Sequence, residues 1–274
     1  MRDGTDFEYD SATARTSIVG EFSEIVRYRD FLRVLISKTI KSRYKRSALG
    51  VAWTLLNPLV QMIVLSVVFS SLFRTAAPRY PVYLLIGLTA WNFFSQSTAF
   101  AMGQLFWGGS LMQRAYLPPT VFAVASVANG LVNVGLSLVP LVAIMLVLGQ
   151  PFYATWWFFP VAIAVLAVFS LGVALLMSSL AVFFVDVRDM YELLLQALFY
   201  LTPILYPKEL LASHAWVINL NPIYYMIEIV RKPIYEGQLP DLRTFGLSVV
   251  IASATLMLGA WVFTRKADEF GYRL

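Results

Sequence analysis

The side chains that carry most enzymatic chemistry are scarce in this sequence. It has no cysteine and a single histidine, His214, so neither a thiolate metal site nor a zinc motif needing two histidines can form. The glycine-rich G-x-x-x-x-G-K-[ST] loop that cradles nucleotide phosphates is absent, as are H-E-x-x-H and G-x-S-x-G. Glu209, Glu228, Glu236 and Asp241 gather in one polar stretch, but nothing in their spacing pairs a general acid with a base. Hydroxyls, amides and aromatic rings are what the chain offers instead. Ser126, Asn129, Asn133 and Ser137 follow one another at steps of three, four and four, which puts them on one helix face. Such a stripe commonly bonds neighbouring membrane helices, at about 0.6 kcal/mol each, and Asn92 and Gln96 are candidate partners.

The elements that position these groups are apolar helices. Of 274 residues, 59% are hydrophobic and 14% charged, with mean hydropathy +0.69. A soluble domain carries roughly 25% charged residues. Apolar runs long enough to cross a bilayer are expected near 51–73, 81–104, 119–148, 155–184, 190–206 and 243–264. The chain reads as an all-α membrane protein with a tail at 1–22 and one transmembrane domain at 23–274. The polar, acidic first twenty residues hold no signal-peptide core.

Two segments depart from plain spans. Ile25, Tyr28, Leu32, Leu35, Ile36, Ile40 and Tyr44 recur every three or four positions among Arg and Lys, predicting a basic amphipathic helix over 23–46 lying in the membrane interface. Between 207 and 235 the chain is only moderately apolar and interrupted by Pro207, Pro222 and Pro233. Two short helices, 208–219 and 222–235, are predicted there as a re-entrant hairpin, shielded from lipid because unsatisfied backbone cannot face it.

Of the 21 Lys and Arg residues, fifteen fall before the first span, after the last, or in the two loops on the same side. The inside-positive rule therefore puts both termini in the cytoplasm. The net charge of +5 reads as this topology signal and not as a nucleic-acid footprint. The spans carry almost no acidic residues, whereas ion-coupled transporters keep ionisable groups at mid-membrane. A transport function would thus draw energy from another subunit.

Residues 43–58 read RYKRSALGVAWTLLNP. With the basic helix before it, the six spans, and Asn221–Pro222 in the segment before the last span, this string resembles the permease subunit of type-2 ABC exporters for polysaccharides, the group moving O-antigen, capsule or teichoic-acid chains. The resemblance implies a bacterial inner-membrane homodimer joined by two ATP-binding subunits. ATP and Mg would sit on those subunits, with no cofactor on this chain and a lipid-linked glycan as cargo. It implies a gate at Arg43, Tyr44, Lys45, Arg46, Gly50 and Trp53. Coupling to the ATPase would run through Gln113, Arg114 and Tyr116 in the loop at 108–119, and through Asp186, Arg188 and Asp189 at 184–194. The first and fifth spans would line the path, so Phe69, Phe73, Phe199, Tyr200, Tyr206, Tyr224 and Tyr225 are channel candidates.

The string also makes local sense. Gly50 can break the interfacial helix and turn the chain into the membrane. Trp53 suits the headgroup level. Gly87, Gly103, Gly130, Gly135 and Gly172 are expected to let helices approach closely. Two readings stay open beside polysaccharide export: a drug or small-lipid exporter of the same superfamily, and a membrane-embedded glycosyltransferase.

Overall fold

The computed structural model of the chain describes residues 28–44, 50, 52–72, 79–115, 118–210 and 215–273. The tail at 1–22, the start of the basic helix, Lys45, Arg46, Phe73, Tyr116 and His214 lie outside the described residues. The described residues are mostly helical and contain no strand. The helices are α1 (Arg29–Tyr44), α2 (Ala52–Leu72), α3 (Tyr80–Ala115), α4 (Thr120–Val147), α5 (Phe159–Phe183), α6 (Val187–Leu201), α7 (Ala215–Leu220), α8 (Pro222–Arg231) and α9 (Leu242–Arg273). Three are long and apolar enough to cross a membrane: Thr120–Val147, Leu242–Ala267, and α5 with the 3-10 turn before it, Ala154–Phe183. Leu55–Phe69 of α2 is a shorter apolar helix.

Three boundaries differ from the sequence expectation. The loop expected at 108–119 is mostly helix, because α3 runs on to Ala115, and Gln113 and Arg114 fall in its last turn. No proline interrupts it before Pro118. The helix expected over 190–206 ends at Leu201. Pro203 has no N–H to continue it, and residues 202–206 form an irregular turn although they are apolar. The two short helices expected at 208–219 and 222–235 are α7 and α8, the latter followed by a π-turn at Lys232–Glu236.

α3 is the central element, packed along α4 and α5, while α9 lies along α5. The main apolar core gathers Leu84, Leu85 and Leu88 of α3, Leu141 and Met145 of α4, Leu166 of α5 and Met226 and Ile227 of α8. A second cluster joins Leu105, Phe122, Leu175, Phe263 and Phe270 at one end of the bundle, and Leu35 of α1 packs on it. The bundle thus has an α1 end and an α8 end. On α1, Arg29, Arg33, Lys38 and Lys41 are exposed, whereas Leu32, Leu35 and Ile36 are partly covered.

The small residues divide in two. A Cβ on Gly172 would collide with the α9 backbone at Thr255 and Leu256, and one on Gly259 would collide with Gly172. This pair brings α5 and α9 to backbone contact. Gly87 and Gly130 likewise have no room. Gly103 and Gly135 meet nothing within 4 Å, contrary to expectation.

Candidate functional site

α2 touches the bundle mainly through α3 and α4, and cavities lie on two sides of it. The first is a groove of about 550 Å³ between α2 and α6, floored by α3. Val60, Gln61 and Val64 form one wall and Phe199 and Tyr200 the other. Trp91 of the floor stands 5.4 Å from the Phe199 ring, and Phe199 is 5.4 Å from Tyr200. Tyr200 is 59% exposed. Two channel candidates therefore share one groove with Trp91 and Gln61, which sequence reasoning missed. Gln61 sits four residues after Asn57 on an otherwise apolar helix, and that i, i+4 amide pair was the available signal.

The other candidates lie elsewhere. Phe69 packs against the main core. Tyr206 donates to the Tyr200 carbonyl at 2.8 Å, and Tyr225 to the Asn219 carbonyl at 3.1 Å. Tyr224 stacks edge-on with Tyr225, 5.2 Å apart. Tyr191, an aromatic of the fifth apolar run, is buried and donates to Thr98 Oγ1 at 2.7 Å, tying α6 to α3.

The second cavity, about 310 Å³, lies between α2, α3 and α4. The stripe Ser126, Asn129, Asn133 and Ser137 lines it, with Asn92 and Gln96 facing from α3. These groups surround a space, and among the described residues only Asn92 reaches another helix, its Nδ2 lying 3.5 Å from Gln61 Oε1 of α2. Ser126 and Ser137 donate to carbonyls of their own helix, Phe122 at 2.8 Å and Asn133 at 2.9 Å. At its α1 end the cavity is bordered by Gly50 and Trp53. Gly50 has φ +48°, the left-handed conformation a turn between α1 and α2 requires, and Trp53 N–H reaches its carbonyl at 3.3 Å. Trp53 is 56% exposed. Arg43 and Tyr44 fall in the last turn of α1.

The α8 end is held by polar ties. Asn221 caps α8, accepting from Ile223 N–H at 3.0 Å, while its amide donates to Thr202 Oγ1 at 2.7 Å. Arg231 is buried; its guanidinium lies 3.7 Å over the Tyr83 ring and donates to Tyr83 Oη at 2.7 Å and the Pro203 carbonyl at 2.8 Å. Tyr80 donates to the Leu205 carbonyl. Burial disfavours the Lys208 ammonium, but the charge and hydrogen bond of Glu228, 3.1 Å away, outweigh it and raise Lys208 above the ordinary lysine range.

At the start of α6, Asp186 takes the N-cap position, and Arg188 pairs loosely with Glu192 at 3.7 Å, both exposed. Asp189 is exposed, as are Phe184, Val185, Met190 and Leu193 around it. An apolar surface seeded with charges suits a protein contact.

Comparison with known proteins gives this geometry a family. The chain is 28% identical over 254 residues to an O-antigen export system permease protein of Myxococcus xanthus, covering 90% of this chain and 96% of that protein. A Klebsiella pneumoniae protein of the same description is 27% identical, over 88% of this chain and 93% of its own length. The polysialic acid transport protein KpsM of Escherichia coli is 21% identical, over 86% and 93%. The apolar helices and these transporter relatives make the chain a multi-pass membrane protein. Residues 31–235, most of the sequence, match the ABC-2 type transporter family, and the chain belongs to that family.

Proposed function

We propose that this chain is the permease of an ATP-driven exporter that moves a lipid-linked cell-envelope polysaccharide of the O-antigen kind across the bacterial inner membrane. The similarity to O-antigen export permeases along nearly the whole length of both chains carries the reading. The groove supports it: Trp91, Phe199 and Tyr200 offer ring faces to the C–H surfaces of sugars, and Gln61 and Gln196 offer amides to their hydroxyls.

In this reading six helices, α2 to α6 and α9, span the membrane, with the α1 end and both termini in the cytoplasm. α1 lies in the inner interface. The segment from 207 to 235 enters the outer face and leaves again, closing the path as an outer gate. Two copies of the chain bring their grooves together, and two ATP-binding subunits dock below. The end of α3 with Gln113, Arg114 and Tyr116, and the start of α6 with Asp186, Arg188 and Asp189, receive the ATPase motion. α1 and the Gly50 turn pass it to α2. The chain itself performs no bond chemistry.

The test is affinity purification of the tagged chain from native membranes, with deletion of its gene in the same host. A stoichiometric ATP-binding-cassette protein and loss of surface polysaccharide are expected. Absence of such a partner in detergents that preserve complexes, with surface polysaccharide intact, overturns the proposal.

A further inference from the structure

The cavity between α2, α3 and α4 has an unusual lining for the interior of a membrane protein. Five side-chain amides border it: Asn57 from α2, Asn92 and Gln96 from α3, and Asn129 and Asn133 from α4. Among the described residues, no Asp, Glu, Lys, Arg or His lines it. Ser97 Oγ is buried there without a hydrogen-bond partner, and Gly130 leaves the room it occupies.

An amide or hydroxyl buried without a partner costs about 1–3 kcal/mol. Ser97 Oγ therefore gains from an occupant that hydrogen-bonds, and Asn129, 5% exposed, borders the same space, whereas Asn57 and Gln96 are exposed. The lining selects among occupants. An ion would need an opposite charge to offset its desolvation, and the described lining residues offer none. An acyl chain would leave Ser97 Oγ without a partner and offer nothing to Asn129 or Asn133. Water fits, about ten molecules at about 30 Å³ each. So does a neutral polyhydroxylated group, whose hydroxyls donate and accept as the amides do. The cavity lies at the small end of the range for ligand sites, about 300–1,000 Å³. Trp53 at its mouth and Phe93 and Phe100 in its wall add flat apolar faces.

Its position suits the second occupant. Asn92 also borders the α2–α6 groove, and its Nδ2 lies 3.5 Å from Gln61 Oε1, a groove residue. At that length the contact sits at the limit of a hydrogen bond. The Asn92–Gln61 pair is thus a thin polar partition between the two spaces.

We propose that this cavity is a binding site for uncharged sugar residues of the exported polymer, with the Asn92–Gln61 pair as the partition they pass to reach the groove. The inference rests on the polysaccharide-export reading. It assigns hydroxyl recognition to Asn129 and Asn133 of α4, away from the aromatic wall of the groove.

The cysteine-free sequence makes the test clean. Asn133→Cys is introduced alone and labelled with a charged methanethiosulfonate reagent in inside-out vesicles of the native host, with polymer synthesis on or off. Labelling is expected, and it is expected to slow about tenfold when polymer is made, the factor that about 1.4 kcal/mol of competing binding produces. No labelling, or labelling indifferent to polymer, overturns the proposal; the second result identifies a water-filled void. In parallel, Asn129→Leu/Asn133→Leu is expected to lower surface polysaccharide about tenfold while the chain still co-purifies with its ATPase. Normal export by that variant overturns the proposal. If it fails to assemble, the single-cysteine labelling decides. The gene deletion separates the two claims: surface polysaccharide unaffected by deletion removes the export reading itself. Loss on deletion with an indifferent Asn133→Cys removes this inference alone.

Discussion

Replacing Asn221 tests whether the Asn-Pro step before α8 is a structural joint. Asn221 is 5% exposed and uses both ends of its amide. Its oxygen caps α8 through Ile223 N–H at 3.0 Å, and its nitrogen donates to Thr202 Oγ1 at 2.7 Å. Asn221→Ala removes a cap worth about 1 kcal/mol and a hydrogen bond worth about 1 kcal/mol. Thr202 keeps its own bond to the Leu198 carbonyl at 2.6 Å, so its hydroxyl is not left without a partner and the loss stays near that sum. At about 2–4 °C per kcal/mol for a chain of this size, a fall in melting temperature of about 4–8 °C is expected for the detergent-purified protein. Asn221→Ser keeps a neutral capping oxygen and loses the donor, so about half that fall is expected. Asn221→Ala melting within about one degree of wild type, or Asn221→Ser melting below Asn221→Ala, would refute the assignment.

The α5–α9 contact gives a paired prediction. Gly172→Ala drives a methyl group into the α9 backbone and should cost about 1–3 kcal/mol, whereas Gly135→Ala, with nothing within 4 Å, should be neutral or stabilising by up to about 1 kcal/mol; thermal melting checks both. Gly50→Ala, at φ +48°, should cost about 1–2 kcal/mol in backbone strain, and Gly50→Asn less, read in the same assay. Thr244 N–H and hydroxyl bonds hold the Asp241 carboxyl below the ordinary range. The stability from this α9 cap is present above the ordinary carboxylate pKa and is lost as pH falls through the lowered native value; Asp241→Asn should remove that acid-side loss in melting temperature against pH. Arg114→Glu or Asp189→Lys should reduce co-purification of the ATPase without lowering the melting temperature, and unchanged recovery in both would refute the coupling assignment.

Helix positions were legible wherever apolar content and helix geometry coincide, as in α4 and α5. They parted at two places. Gly108 and Gly109 read as a loop, yet glycine only weakens a helix by about 1 kcal/mol each, and α3 continues to Ala115. Residues 202–206 read as span, yet the Pro203 backbone cannot donate and the chain turns, with its carbonyls taken by Tyr80, Tyr83 and Arg231. The polar face of α4 was legible from spacing alone. That it looks into a cavity depends on how far α2 stands from α3, a property of crossing angles that one-dimensional periodicity does not carry. Gly50 was legible because a basic helix must end there before an apolar one begins.

Arg231 separates the two ends of the molecule energetically. It lies in the segment expected from sequence to be re-entrant and is 3% exposed, with Nε and one terminal nitrogen lacking a partner. Burying a guanidinium costs several kcal/mol. Two charge-assisted hydrogen bonds at about 1.5–3 kcal/mol each and the Tyr83 ring at up to about 2 kcal/mol offset that only while all three are made together. These contacts join three elements: Tyr83 on α3, Pro203 after α6, and Arg231 on α8. Gly87 has no side chain, and the guanidinium occupies that space. Separating any one element strands a buried cation, so the α8 end behaves as a single block. The cavity beside α2 is the opposite case: its described lining residues are uncharged, with amides that exchange partners for about 1 kcal/mol each. Under the proposed export function, motion that admits cargo would therefore be cheapest around α2, with the α8 block moving as one body.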